Sequence, residues 1–367
     1  MNNLVFSNML HRPARTVVSV LGIAVGVLLI VFTVGLTNGS MRERGQREAN
    51  VGAEIMFRAS GTLGLSGSEA FRLPINLQSD LVKIEGVKSI VSLGQTSVNA
   101  DTNTGSRLID GIKFDEYAAV AALKIIEGRP FSPQSNDEAI IDTGFQRQKK
   151  YKIGDTINMW ERPFVIVGTY EPAAGARIKI PLSAMQKQLG AENKASAFLI
   201  KVKDGVNTEQ VAGNLHQTFS DNQIVLTRDL EELYMSSVPA LNVFLNVVIG
   251  VAAAISALVI LLTMYTTVTE RTRQIGIMKS LGMSNSSIGW IITQEALLLS
   301  FFGIVSGIVL TVILRFILSK VTTLEVEISP MILSIVLVVG LIGGALGALY
   351  PALKAARLDA VEALSYE

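Results

Sequence analysis

Four stretches of this chain are almost continuously apolar: residues 16–36, 241–268, 288–317 and 331–349. Each meets the ~17–25 residues that a helix needs to cross a bilayer. From residue 41 to 237 the pattern breaks into short alternating segments with charges and turn residues, as in a water-soluble domain. There, residues 54–58, 87–93, 140–142, 156–160, 164–168, 178–181, 197–202 and 223–226 read as strands. Residues 78–84 and 208–219 read as helices, the second with Val211, Leu215 and Phe219 inward. Gly154-Asp155 and Glu161-Arg162-Pro163 are turn material, and residues 61–72 form a Gly/Ser-rich mobile loop. Residues 41–48 read as a solvated extension of the first helix. The order is strand–helix–strand, a β-rich insertion, then strand–helix–strand, which makes two related α/β halves around an insertion.

The pattern predicts an α-helical membrane protein with four transmembrane helices and an extracytoplasmic α+β domain between the first and second. The segments are an N-terminal lead (1–15), first span (16–40), external domain (41–237), second span (238–268), connecting helix (269–285), third span (286–318), short external loop (319–330), fourth span (331–350) and tail (351–367). A cleaved signal peptide is the rival for the first run, but the run exceeds a usual apolar core and no A-x-A-like site follows it. In the lead, Leu4, Val5, Met9 and Leu10 can share one face of an interfacial helix.

Composition narrows the class. Of 367 residues, 49% are hydrophobic and 17% charged, and the net charge of +1 gives no general case for nucleic-acid binding. With no cysteine, disulfides and thiolate chemistry are excluded. His11 and His216, placed on opposite sides of the membrane, cannot share a metal. There is no G-x-x-x-x-G-K-[ST], H-E-x-x-H or G-x-S-x-G. If transport is the task, its energy comes from another polypeptide, and this chain needs no cofactor of its own.

Charge sets the orientation. Arg12 and Arg15, then Arg271, Arg273 and Lys279, then Lys354 and Arg357 lie on one side, against Lys320 in the opposite short loop. The positive-inside rule puts both termini in the cytoplasm, and Arg42, Arg44 and Arg47 count little because they open a long translocated domain. Gly22 and Gly26 form a G-x-x-x-G that permits close packing between two copies of the chain; chance is the plainer reading. Glu295 is an acid inside an apolar run, either functional or simply solvated near the headgroups, and Arg315 reaches for the opposite interface. The glycines of the fourth span read as a packing surface.

The stretch between the second and third spans carries the sharpest signal. At ~100° per residue, Ile275, Ile277, Met278 and Leu281 share one arc, with Arg273, Gly276, Lys279 and Ser280 opposite. Gly282 serves as C-cap, and Ser284 as N-cap of the next helix. Such a helix either lies on lipid or docks into a soluble partner.

The same residues, Glu270-Arg271-Thr272-Arg273-Gln274-Ile275-Gly276-Ile277 through Lys279-Ser280-Leu281-Gly282, resemble the coupling segment of MacB-type ABC transporter permeases, a group that includes FtsX-like and LolC-like proteins. Gln274 stands where that family usually has an acid. The run Leu21–Val27 resembles the family's first span, and residues 350–364 its ending, with Ala360 in place of the usual proline. The external layout resembles the family's periplasmic region, a split porter-like domain interrupted by a β-rich one. The resemblance implies an inner-membrane permease homodimer, or a pair with a close paralogue, bound to ABC ATP-binding subunits that hold the ATP and magnesium. Glu270, Arg271, Arg273, Gln274, Ile275, Gly276, Ile277, Met278, Lys279, Leu281 and Gly282 would be its ATPase-coupling residues. ATP-driven closure would move the external domains and drive efflux, or extraction from the outer leaflet, in some relatives with a membrane-fusion protein and an outer-membrane channel. The rival is an FtsX-like signalling subunit that activates cell-wall hydrolases. A membrane-anchored adhesion module would leave the coupling segment without a use.

Overall fold

A computed structural model of the chain describes residues 13–62, 67–99, 106–236, 239–321 and 326–359. Leu4, Val5, Met9, Leu10, His11, Arg12 and the tail from Ala360 lie outside the described residues. The chain divides into two compact units: Met1–Ser40 with Val238–Glu367, and Met41–Ser237.

Helix α1 (Pro13–Ala49) contributes to both units. The second unit continues with β1 (Ile55–Ala59), β2 (Leu73–Pro74), α2 (Gln78–Leu81), β3 (Val87–Asn99), β4 (Ser106–Ile112), α3 (Phe114–Ala121), β5 (Lys124–Gly128) and β6 (Glu138–Asp142). It goes on through α4 (Thr143–Lys149), β7 (Thr156–Met159), β8 (Arg162–Glu171), β9 (Ile178–Pro181), α5 (Leu182–Leu189), β10 (Lys194–Ala195), β11 (Ala197–Val202), α6 (Thr208–Thr218), β12 (Asn222–Leu226) and α7 (Leu230–Ser236).

One sheet joins ten of these strands in the order β12-β1-β11-β3-β4-β9-β6-β8-β5, with β7 on β8. The first four form a split β-α-β-β-α-β arrangement, β1-α2-β3 and β11-α6-β12, with all neighbours antiparallel. The insertion extends the same sheet: β4 lies parallel to β9, and β6 parallel to β8. It also holds the helices α3, α4 and α5, which the strand pattern does not reveal. The hairpin between β7 and β8 turns on Trp160 and Glu161, both at positive φ, so Arg162 and Pro163 belong to the strand and not to the turn. Inward alternation is clear in α6, where Val211 and Leu215 are buried against Phe57, Phe198 and Ile200.

The other unit holds α1 up to Ser40, α8 (Pro239–Glu270), α9 (Thr272–Ser280), α10 (Asn285–Val321) and α11 (Pro330–Arg357). Helices α1, α8, α10 and α11 are long and apolar enough to cross a membrane. Small residues set their packing. A Cβ on Gly303 or Gly307 of α10 would strike Ile23 or Val27 of α1, and one on Gly347 of α11 would strike the Ala257 carbonyl and Ile260 of α8. Hydroxyls inside this unit bond back along their own helices: Ser256 donates to the Ala252 carbonyl, Ser300 to Ala296 and Thr311 to Gly307.

Candidate coupling site

Helix α8 ends at Glu270, and Arg271 (φ −106°, ψ 15°) leaves helical geometry, so the chain turns before α9 begins. At the far end the Gly282 N–H donates to the Lys279 carbonyl and the Met283 N–H to that of Met278. Together with Gly282 at φ +90°, this is a Schellman stop. Ser284 caps α10 by accepting from the Ser287 N–H at 3.2 Å. Local signals thus confine α9 to nine residues.

The apolar arc of α9 splits. Ile275 is buried in the helical core beside Met264 and Ile288, and Met278 packs partly buried against that core. Ile277 is 44% exposed and Leu281 80% exposed. The sequence pattern puts all four on one docking face; the structure corrects this, because the arc is wider than one contact and its Ile275 edge meets the bundle. Thr272 and Gly276 are buried too, while Arg273, Gln274, Ser280 and Gly282 stay exposed beside Ile277 and Leu281.

The charges are also committed differently from a simple rim. Glu270 takes a two-pronged contact from Arg15 of α1, Nη1 to Oε2 at 2.9 Å and Nη2 to Oε1. Arg271 Nη1 lies 3.5 Å from Glu295 Oε2 on α10, so the intramembrane acid has a basic partner at the start of the coupling segment. Lys279 Nζ donates to the carbonyls of Ala356 (2.8 Å) and Leu358 (2.6 Å), at the C-terminal end of α11. Those carbonyls lack helical partners and sit at the negative end of the dipole.

Gly22 and Gly26 both lie against a helix of their own chain. Their missing Cβ atoms make room for Val259 and Ser256 of α8 in the same chain, the Ser256 hydroxyl lying 2.7 Å from where a Gly26 Cβ would stand. The close approach expected of the G-x-x-x-G is therefore spent inside the protomer.

A second site escapes the hydrophobic pattern. The last turns of α1 are not simply solvated: Arg47 and Glu48 are buried. Arg47 Nη2 donates to Asp142 Oδ2 at 2.8 Å and its Nε to the Gly175 carbonyl at 2.9 Å. Glu48 Oε1 accepts from Gln95 Nε2 at 2.7 Å, while Arg58 Nη2 donates to Gln95 Oε1 at 2.9 Å. Asp110 lies 3.3 Å beyond Gln95 and accepts from Lys179 Nζ at 2.8 Å. Lys179 is 0% exposed, with the rings of Tyr117 and Tyr170 4.7 and 5.2 Å away. Burial pushes the Lys179 ammonium below the usual lysine range, and Asp110 opposes that. Burial also holds the Tyr117 and Tyr170 hydroxyls well above theirs. Gly175, at φ +57°, leaves no room for a Cβ beside Asp110. The sequence signal for this network is slight: single opposite charges, Asp110 and Lys179, each between isoleucines or glycine in short β-rich runs. Among the described residues, no cluster of His, Asp or Glu has metal-site geometry.

Residues 16–218 match the family described as MacB-like periplasmic core domain, and residues 246–360 match the FtsX-like permease C-terminal family. The uncharacterized ABC transporter permease YknZ of Bacillus subtilis (strain 168) is 26% identical over 397 aligned residues, covering 99% of this chain and 98% of YknZ. The macrolide export ATP-binding/permease protein MacB of Bdellovibrio bacteriovorus is 25% identical over 99% of this chain, which spans 61% of that protein's length. Among solved structures, the periplasmic region of MacB from Actinobacillus actinomycetemcomitans is similar over 51% of this chain and 95% of its own length, with 18% identity and a TM-score of 0.37.

Proposed function

The chain is a MacB/FtsX-type ABC permease, and on that premise we propose that it is the membrane subunit through which a separate ATP-binding subunit drives movement of the domain between the first and second spans. One observation carries this: α9 presents Ile277 and Leu281 outward while its opposite face, with Thr272, Ile275 and Gly276, is buried in the helical bundle. A short helix with two exposed apolar anchors and Arg273 beside them suits a groove in a soluble partner. The ATP-binding subunit supplies ATP and magnesium, because this sequence has no phosphate-binding loop. The loop arginines and lysines support a cytoplasmic side for both termini. Two permease copies work together. The external domain then drives export or extraction from the periplasm or outer leaflet, with a membrane-fusion protein and outer-membrane channel as accessory partners. An FtsX-like signalling role uses the same membrane machinery; capture of a cell-wall hydrolase instead of a fusion protein by the external domain decides for it.

The test is Leu281→Asp, alone and with Ile277→Asp. An apolar anchor of this size is worth ~1.5–3 kcal/mol when buried, so each change costs on the order of tenfold or more in partner affinity. Co-purification of the ATP-binding subunit is expected to fall while the helical unit stays folded. Normal recovery of the partner with both substitutions means that α9 lies on lipid, and the docking reading is lost.

A further inference from the structure

Three charged residues of the coupling segment face three different helices of their own chain. Glu270 meets Arg15 on α1, Arg271 meets Glu295 on α10, and Lys279 meets the last carbonyls of α11. Each contact uses a distinct chemistry: a forked guanidinium–carboxylate pair, an ion pair of which Glu295 is buried, and an ammonium on helix-end carbonyls. Between them Ile275 is sunk in the core and Thr272 donates to the Thr269 carbonyl. The exposed positions are a different set, Arg273, Gln274, Ile277, Ser280 and Leu281. From Glu270 to Leu281, then, one face bonds inward to three helices and the other is open.

We infer that Glu270, Arg271 and Lys279 are positioning residues: Glu270, the last residue of α8, ties the root of α9 to the first span, and Arg271 and Lys279 fasten α9 itself to the third and fourth, so that a push on its exposed face moves those spans with it. They are not partner contacts. Without them, α9 would hang from the turn at Arg271, held by the packing of Thr272, Ile275, Gly276 and Met278 alone, and could swing without displacing the bundle. Glu295 gains a role here as the anchor for Arg271 inside the apolar run. The inference rests on the docking reading for the direction of the push, but not for the fasteners themselves.

The natural chain has no cysteine, so two introduced cysteines are unique labels. Spin labels at Ser280 on α9 and Val18 on α1, both exposed, report the distance between coupling helix and first span. The experiment uses the full chain in complex with its ATP-binding partner, with and without ATP. A narrow distance distribution, the same in both states, is expected for the natural charges. Arg15→Glu or Glu270→Arg alone broadens it, and the two together restore it. Recovery of the partner changes by less than about fivefold in all three, the ceiling for one exposed charge pair. The milder Glu270→Gln, expected to broaden the distribution less, covers the case in which a reversal disturbs folding. Single reversals that leave the distribution narrow overturn the inference. So does loss of the partner on Glu270→Arg without broadening, since that marks Glu270 as a docking contact. Failure of the docking reading shows separately, as a partner retained by Ile277→Asp with Leu281→Asp while the charge swap still behaves as a fastener.

Discussion

The two units solve the burial of polar groups in opposite ways. In the helical unit, buried hydroxyls turn back onto carbonyls four residues earlier, as Ser256, Ser300 and Thr311 do, and ion pairs gather at the ends of helices near α9. In the sheet unit, buried charges reach across 128, 95 and 69 residues of sequence to find partners, as Arg47 does to Gly175 and Asp142, and Lys179 to Asp110. The physical cause is the available alternative. In hydrocarbon an unpaired group has no water to turn to, so helices that satisfy themselves locally are the stable solution. In a domain folded from water, a buried pair is tolerated if its remaining lone pairs and protons are met, and it then ties distant strands together. The first solution leaves helices that pack on small-residue faces; the second joins the end of α1 to β3, β4, β6 and β9.

That contrast breaks most sharply at Lys179. Lys179→Met leaves Asp110 buried without its ammonium and is expected to cost about 3–5 kcal/mol, read as loss of hydrogen-exchange protection in β4 and β9 of the full chain. Adding Asp110→Leu recovers much of the loss; if it recovers none, the pair is not what holds these strands. The matching deletion in the helical unit is far milder. Ser256→Ala removes a buried hydroxyl bonded only to its own helix and costs about 0.6 kcal/mol, measured as the denaturation midpoint of the full chain in detergent. Equal costs for the two deletions would erase the distinction. The smallest effect lies on the surface of the sheet unit. The hydrogen bond from Arg129 holds Glu138 below the usual carboxylate range, aided by the Ser132 N–H and opposed by partial burial. A lowered folded value means that the stability is present above the ordinary unfolded value and fades as pH falls through the folded one. Glu138→Gln should therefore lower stability slightly at neutral pH, leave the most acid end almost unchanged, and so flatten the acid side of the profile. A steeper acid loss in the variant contradicts this.

The spans were legible because hydrocarbon imposes a simple length and composition rule on each segment separately. The coupling helix was legible as an element for the same local reason: Gly282 and Ser284 mark its boundaries in the sequence itself. Strands such as β11, and the inward face of α6, followed from period and turn residues. Short helices inside the insertion were missed because seven or eight residues give periodicity too little length to show. The direction in which each face points was another matter. Ile275 and Ile277 are equally apolar, yet one is core and the other open. Gly22 and Gly26 invite a close neighbour without naming it, and α8 of the same chain takes the place.

What the sequence alone determined is the alternation of four apolar helices with one mixed α/β domain, and the helix between the second and third spans, since each depends on residues close in the chain. What only tertiary structure decided is who pairs with whom: Glu270 with Arg15, Arg271 with Glu295, Lys179 with Asp110. Charge carries no address in sequence, and a partner more than two hundred residues away, as Arg15 is from Glu270, becomes specific only when packing has brought the two helices together.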